Sequence, residues 1–445
     1  YDRFLRGTAG LAELRVDSMG RPRSKPLRSE QPQPGLALRT TLDAKLQRAA
    51  EDALEYGIQV ARENKSWYAN AGAAVAIDPR TGAIRAMATN PTYDPRVYVG
   101  KPKPRELRPL IDPKAAEEAN YPGLNRATSG FYPPGSTFKP VTALAAMREQ
   151  LVGPYEPLSC TGKMEIDGTT FRNWNPYVSE AMDLPTALAA SCDTYFYQLG
   201  LEFYGLPPEY GSPLQKWASA FGFGKATGLD VGGEATGLLP TPEWRRKTYT
   251  KKRYPETWEI DRLWKSGDSV QLAIGQKDLL VTPLQMARFY ALLANGGKLV
   301  TPHLVSSVEQ PGNSGAVKAV FSPAPKDVNV DPAELSVIGD GLYRATHASY
   351  GTSAGVFGAF PIPIAGKTGT AEKAVDVDGD GYAQMVDQSW WCGYGPTDKT
   401  PELVVCVVIE NGGHGSTAAA PAALKIFERH FGREAPVVET GVETD

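Results

Sequence analysis

Apolar and polar positions divide the chain into an irregular start, a long region of mixed elements and a last third dominated by apolar runs. The stretch TLDAKLQRAAEDALEYGIQVAREN places Leu42, Leu46, Ala49, Ala50, Leu54 and Ile58 at helical spacing, with Thr41 suited to cap it. That predicts a long amphipathic helix. AGAAVAIDPRTGAIRAMAT follows, two short apolar segments around the turn at residues 78–82, which predicts a hairpin. Residues 90–125 are polar and proline-rich and predict a loop with short helices. Residues 184–200 have a helical pattern on both sides of Ser191-Cys192-Asp193, so that triplet falls between two helices or at the start of the second. In residues 281–297 Thr282 suits the cap, Pro283 the first turn and Gly296 the left-handed C-terminal position. Residues 362–372, 388–395 and 403–410 read as strands, and 418–431 as a closing helix. With the early hairpin they make five strands, which predicts an α/β (α+β) fold whose sheet is assembled from both ends of the chain around a helical insertion.

At 445 residues the chain exceeds a usual single-core domain, which predicts one large domain, residues 37–433, with an inserted lobe. Residues 1–36 are Pro- and Arg-rich and predict a strand or two and a linker, and the acidic residues 434–445 predict a disordered tail. A formal charge of −3 gives no electrostatic reason to expect nucleic acid or an anionic membrane surface as a partner. No run of 18 apolar residues occurs, so no span or signal peptide is predicted. Because the chain starts at Tyr1, we expect a fragment whose membrane anchor lies outside it. The four cysteines lack CxxC spacing, and buried free thiols are expected. Centring the turn on residues 396–401 leaves Cys392 and Cys406 one residue out of register, which argues against a cross-strand bond.

The chemistry concentrates in FYPPGSTFKP, residues 131–140. Pro140 is tolerated in a helix only near its first turn, so Ser136 is expected at the helix mouth, where unpaired NH groups favour developing negative charge. The three-residue spacing turns the Lys139 amine toward the Ser136 hydroxyl, which makes Ser136 a nucleophile with an adjacent base. Serine and lysine at this spacing recur on many helices, and the company they keep is what carries weight. Ser191 and Asp193 follow, then Lys367-Thr368-Gly369. Lys139 acts as a base only when neutral, and a second cation nearby, Lys367, favours that form. Ser191 can relay a proton from either lysine to a leaving amine, and Asp193 can hold lysine or substrate. Gly369 is expected to clear space for a substrate backbone beside an edge strand, with Thr368 and Thr370 lining the same strand. The NH groups of Thr370 and Ser136 are then the expected oxyanion hole.

SxxK, SxD and KTG in that order mark penicillin-binding proteins and serine β-lactamases. With YPPGSTFKP, SCDTYFYQLG, VQLAIGQKDLLVTPLQMARFYALLANGG and AGKTGTAE, the chain resembles the transpeptidase domain of class B penicillin-binding proteins over residues 35–431. YDRFLRGTAG is similar to the end of that family's N-terminal pedestal, so residues 1–36 are expected to be its remnant. The resemblance implies the penicillin-binding protein and serine β-lactamase-like fold, a five-stranded antiparallel sheet flanked by helices with a mainly helical lobe across a cleft. It also implies cross-linking of peptidoglycan stem peptides through an acyl-enzyme on Ser136, inhibition by β-lactams, and a catalytic domain outside the cell membrane. Asp193, where division-type members usually carry asparagine, implies the elongation type, similar to penicillin-binding protein 2, with a polytopic membrane glycosyltransferase as partner. A hydrolase on the same scaffold, a D,D-carboxypeptidase or β-lactamase, is a second reading. No ExxLN-like element lies between Asp193 and Lys367 to activate water, which weighs against a β-lactamase. A non-catalytic β-lactam sensor is a third, and needs a signalling domain that this sequence does not show.

No cofactor is required by this chemistry. DVDGDGYAQMVD nonetheless places Asp376, Asp378, Asp380 and Asp387 at positions 1, 3, 5 and 12 of a calcium loop, with Gly381 at position 6. Some members of the resembling type bind zinc near the cleft. Residues 160–174 offer Cys160 and Asp167 but no histidine, so zinc is not expected.

Overall fold

Two segments far apart in the chain meet in one antiparallel sheet, as the apolar pattern predicts. Strands β1 (Ala71–Ile77) and β2 (Ile84–Asn90) form the early hairpin, and β3 (Ala365–Val375), β4 (Gln384–Gly395) and β5 (Leu403–Glu410) come from the other end. Their order is β3-β4-β5-β1-β2, so β5 joins the two segments and β3 lies on an edge. The structure, a computed structural model, describes residues 1–23, 25–101, 103–312, 316–376 and 382–435.

Helices α1 (Ala44–Glu63), α2 (Lys139–Arg148), α3 (Leu184–Ala189), α4 (Asp193–Gly205), α5 (Pro283–Ala294), α6 (Pro332–His347) and α7 (Ala419–Phe431) cover the sheet and build the lobe beside it. On one face Leu54 and Ile58 of α1 and Ile426 and Phe427 of α7 pack with Ala74, Val405 and Val407. On the other, Leu144, Phe289 and Leu342 belong to the cluster that holds Val75, Val404, Val408 and Trp390. All of β1 is buried, as is β5 up to its last residue. A strand covered on both faces carries apolar residues throughout, which is why these two show no alternation.

Local chemistry sets the helix ends. Thr282 and Gln285 form a reciprocal capping box at α5, and Gly296 takes φ +80° just beyond it, as expected. The cap of α1 is Asp43 rather than Thr41: its carboxylate accepts from the Lys45 and Leu46 NH groups at 2.8 and 3.0 Å. Thr41 is buried, and its hydroxyl is used on the Ile84 and His303 carbonyls at 2.7 and 3.1 Å. A carboxylate also answers the positive end of the helix dipole.

The cysteines overturn the expectation of free thiols, since Cys160 bonds Cys192 and Cys392 bonds Cys406. Gly395 pairs with Leu403, so the β4–β5 loop is residues 396–402, one longer than supposed, and Cys392 stands opposite Cys406. Cys160 reaches Cys192 because strand Leu158–Thr161 lies against α4, a long-range contact that no spacing announces.

At the start of the chain, Leu11–Glu13 pairs with Arg28–Glu30, and the Tyr1 hydroxyl donates to Asp230 at 2.6 Å. Residues 436–445 of the expected tail lie outside the described residues. So do Asp378 and Asp380. The flanks of that loop are strands, and Asp387 sits on β4 opposite Glu372, three pairs below the last rung Val375–Gln384. The loop that would join Asp376 to Asp387 in a calcium site thus runs through residues outside the described ones. Among the described residues no helix is long and apolar enough to cross a membrane.

Asp43→Ala is expected to lower stability by about 1 kcal/mol at neutral pH. Backbone donors, Leu46 NH foremost, hold the Asp43 carboxyl below its ordinary value. Its stabilisation is thus present above the unfolded carboxyl pKa and is lost as pH falls through the lower folded one. Urea unfolding of both proteins from pH 7 to pH 2 checks this: the difference should vanish at the acid end.

Candidate active site

Residues 131–140 enter the helix through a tighter turn than a regular α-helix. Gly135–Phe138 is a 3-10 turn, α2 begins at Lys139, and Pro140 sits in its first turn. This turn is docked on the edge strand. Gly135 takes φ +55°, and a Cβ there would lie 2.5 Å from the Thr370 carbonyl oxygen; one on Gly369 would lie 2.9 Å from both the Pro134 carbonyl oxygen and Thr137 Cγ2. The clearance at Gly369 is therefore used by the protein's own turn, not held open for substrate as expected. The Trp390 indole on β4 donates to the Pro133 carbonyl at 3.0 Å and fixes the same turn from beneath.

Ser136 is partly exposed in a cleft of about 960 Å³, which it shares with Ser191, Asp193, Gly369 and Thr370. Lys139 has no exposure. Its ammonium donates to the Ser191 carbonyl at 2.6 Å and Oγ at 3.2 Å, and meets Asp193 Oδ1 at 2.7 Å. It also faces the Phe196 ring at 5.4 Å. Ser191 lies in the connection between α3 and α4, as the pattern predicts, with φ +56°. Asp193 is held in turn: its NH donates to Asn173 Oδ1 at 2.7 Å, and its Oδ2 accepts from the Trp174 NH at 3.0 Å. The charge that Lys139 meets at contact distance is thus a carboxylate.

Lys367 is also fully buried on β3, where its ammonium reaches the Thr368 carbonyl at 3.2 Å. Thr368 turns away from the cleft, donating to Thr352 Oγ1 at 2.7 Å. Thr370 is tied at both ends, its carbonyl accepting from Gln276 at 3.3 Å and its hydroxyl from the Gly415 NH at 3.3 Å. Asp387 reaches the cleft wall too. Burial pushes the Asp387 and Asp278 carboxyls above their ordinary value; the nearby His414 opposes this for Asp387, and Arg245 and Lys277 for Asp278.

As for metals, Cys160 is committed to its disulfide and the Asp167 carboxylate accepts from Ser266. Among the described residues no group of three His, Cys, Asp or Glu side chains gathers as a metal site requires.

Sequence reasoning missed Asn173, Trp174, Gln276 and His414, all in the cleft wall. Their signal was faint: NWN interrupts a polar hairpin, and QKD interrupts an apolar run.

A family model for the penicillin binding protein transpeptidase domain matches residues 72–428. The peptidoglycan D,D-transpeptidase MrdA of Haemophilus influenzae is 32% identical over 450 aligned residues, which cover 99% of this chain and 63% of that protein. The chain therefore spans less than two thirds of that relative's length. A chain of a peptidoglycan synthase complex coordinating polymerization and crosslinking is 34% identical, with TM-score 0.77, over 98% of this chain and 70% of that one. Penicillin-binding protein 2 of Helicobacter pylori, solved in complex with MreC, is 25% identical with TM-score 0.74, over 97% of this chain and 71% of that one.

Removing the carboxylate leaves a buried ammonium without its counter-charge, so Asp193→Ala is expected to cost about 3 kcal/mol. Adding Lys139→Met should recover part of that loss, since the buried charge goes too. Urea unfolding of the two single variants and the double checks the coupling; purely additive costs contradict it.

Proposed function

We propose a function on one premise: the chain belongs to the penicillin-binding protein transpeptidase family. It is the catalytic domain of a peptidoglycan D,D-transpeptidase of the penicillin-binding protein 2 type, working in cell-wall elongation and acylated by β-lactams. The observation that carries this reading is the buried Lys139 ammonium, bonded to Ser191 and Asp193 behind a serine that faces the cleft.

Ser136 Oγ adds to the carbonyl carbon between two D-alanines of a stem peptide, and its proton passes to Lys139 in the neutral form. Lys139 first shifts its own proton along the contacts it already makes, toward Ser191 or Asp193. The Ser136 and Thr370 NH groups face the tetrahedral oxyanion, a contribution of about 3 kcal/mol where such donors have been removed. The C–N bond then breaks, and D-alanine leaves with a proton delivered through Ser191. An amine of a second stem peptide attacks the ester, forms the new amide and returns the proton to Ser136. Lys367 and the Thr368-Gly369-Thr370 segment of edge strand β3 bind the substrate backbone by strand addition. The chemistry needs no metal.

Two disulfides suit an oxidising compartment, which supports a position on the outer side of the cell membrane. Residues 1–36 are then the remnant of a pedestal that leads to a membrane anchor, and a polytopic glycosyltransferase of the elongation machinery is the partner. The synthase complex and the MreC-bound relative support such an assembly.

Fluorescent penicillin should label the native protein and leave Ser136→Ala unlabelled; equal labelling of both contradicts the nucleophile. Lys139→Ala and Lys367→Ala should each lose most of the acylation rate, by a factor of about 10² or more. Rapid release of the label from the native protein would instead favour the hydrolase reading.

A further inference from the structure

Ser191 and Asp193, the two residues that hold Lys139, flank a half-cystine. Cys192 is bonded to Cys160, and both are buried at 1% exposure. Ser191 itself carries φ +56°, a left-handed conformation that a residue with a Cβ keeps only where its surroundings over-determine it.

Bonds on two sides do so. From the strand Leu158–Thr161 come the disulfide and, beside it, a two-way clasp: the Thr194 hydroxyl accepts from the Thr161 NH at 2.8 Å and donates to the Thr161 carbonyl at 2.9 Å. From the following hairpin come Asn173 and the Trp174 NH, which hold the two ends of Asp193, while the Trp174 indole donates to the Ala190 carbonyl at 3.0 Å. Cys192 Sγ also accepts from the Tyr195 NH at 3.4 Å, so the bonded sulfur caps α4 as well. The covalent link adds to these hydrogen bonds one tie that does not open without reduction.

We propose that Cys160 and Cys192 are positioning residues for acylation: their disulfide holds the turn that presents the oxygens of Ser191 and Asp193 to Lys139. This rests on Ser136 as the nucleophile. Neither sulfur touches the reacting atoms, and the effect runs through Lys139, whose ammonium donates to oxygens of both residues flanking Cys192. Misplacing a catalytic group by 1 Å costs about a hundredfold in rate, so a small relaxation of this turn is enough.

The test compares Cys160→Ala with Cys406→Ala, which opens the disulfide in the sheet. Stopped-flow acylation by a penicillin over a range of concentrations gives the maximal rate and the half-saturating concentration, intact-protein mass gives the labelled fraction, and thermal melts give stability. For Cys160→Ala the maximal rate should fall about tenfold to a hundredfold while half-saturation stays within about twofold. Cys406→Ala should melt earlier yet acylate within about twofold of native. If Cys160→Ala does not fold, phosphine reduction of the native protein, followed by mass spectrometry of its thiols, should slow acylation, and reoxidation should restore it. The proposal is overturned if Cys160→Ala keeps the native maximal rate, if it loses only labelled fraction at unchanged rate, or if Cys406→Ala slows equally. A native protein that never labels refutes the Ser136 assignment and takes this proposal with it.

Discussion

A primary ammonium with no contact to water must be answered by oxygen atoms, and the whole cleft is arranged around meeting that need for Lys139. Desolvating such a group costs several kcal/mol unless partners replace its water, and here a carboxylate, a carbonyl and a hydroxyl do so within 3.2 Å. All three belong to Ser191, in the turn between α3 and α4, and Asp193, the first residue of α4. Ser191 supplies its two oxygens from a left-handed conformation, φ +56°, so the strained backbone at Ser191 and the burial of Lys139 meet in one arrangement. Asn173, Trp174 and Thr161 then act at one remove, holding the holder.

The second constraint is the docking of the Ser136 turn on an edge strand that arrives from the other end of the chain. Gly135 and Gly369 let two backbones approach where any side chain would collide, and Trp390 reaches from the neighbouring strand to a carbonyl of the turn. Burial of β1 and β5 on both faces makes the sheet a rigid base for this contact. Serine and edge strand are thereby set by the packed core rather than by loops, which suits a reaction that depends on near-attack geometry.

Much of this was legible in the residues themselves. Fixed spacings revealed Ser136 with Lys139, Ser191 with Asp193, and the Lys367 triplet, because each motif is local and its order along the chain is informative. The strands showed through their apolar segments, unbroken in β1 and β5, and α5 through its cap, proline and glycine. What stayed hidden depends on register and distant contact. One residue of loop length moved Cys392 opposite Cys406, and strand register set Asp387 opposite Glu372. Asn173 and Trp174 belong to the site because a hairpin folds back onto α4, and Gly369 meets the protein's own turn. None of these follows from spacing along the sequence.

The proposed function requires that Ser136 carry the acyl group of a stem peptide and yield it to an amine. Mixing the protein with a thioester analogue of the D-Ala-D-Ala donor, quenching in acid and mapping peptides by mass spectrometry tests it directly. An acyl adduct is expected on the peptide containing Ser136, its lifetime shortening as a D-amino acid acceptor is added while amide product accumulates. An adduct on another residue, or turnover with no adduct and no amide, would contradict it.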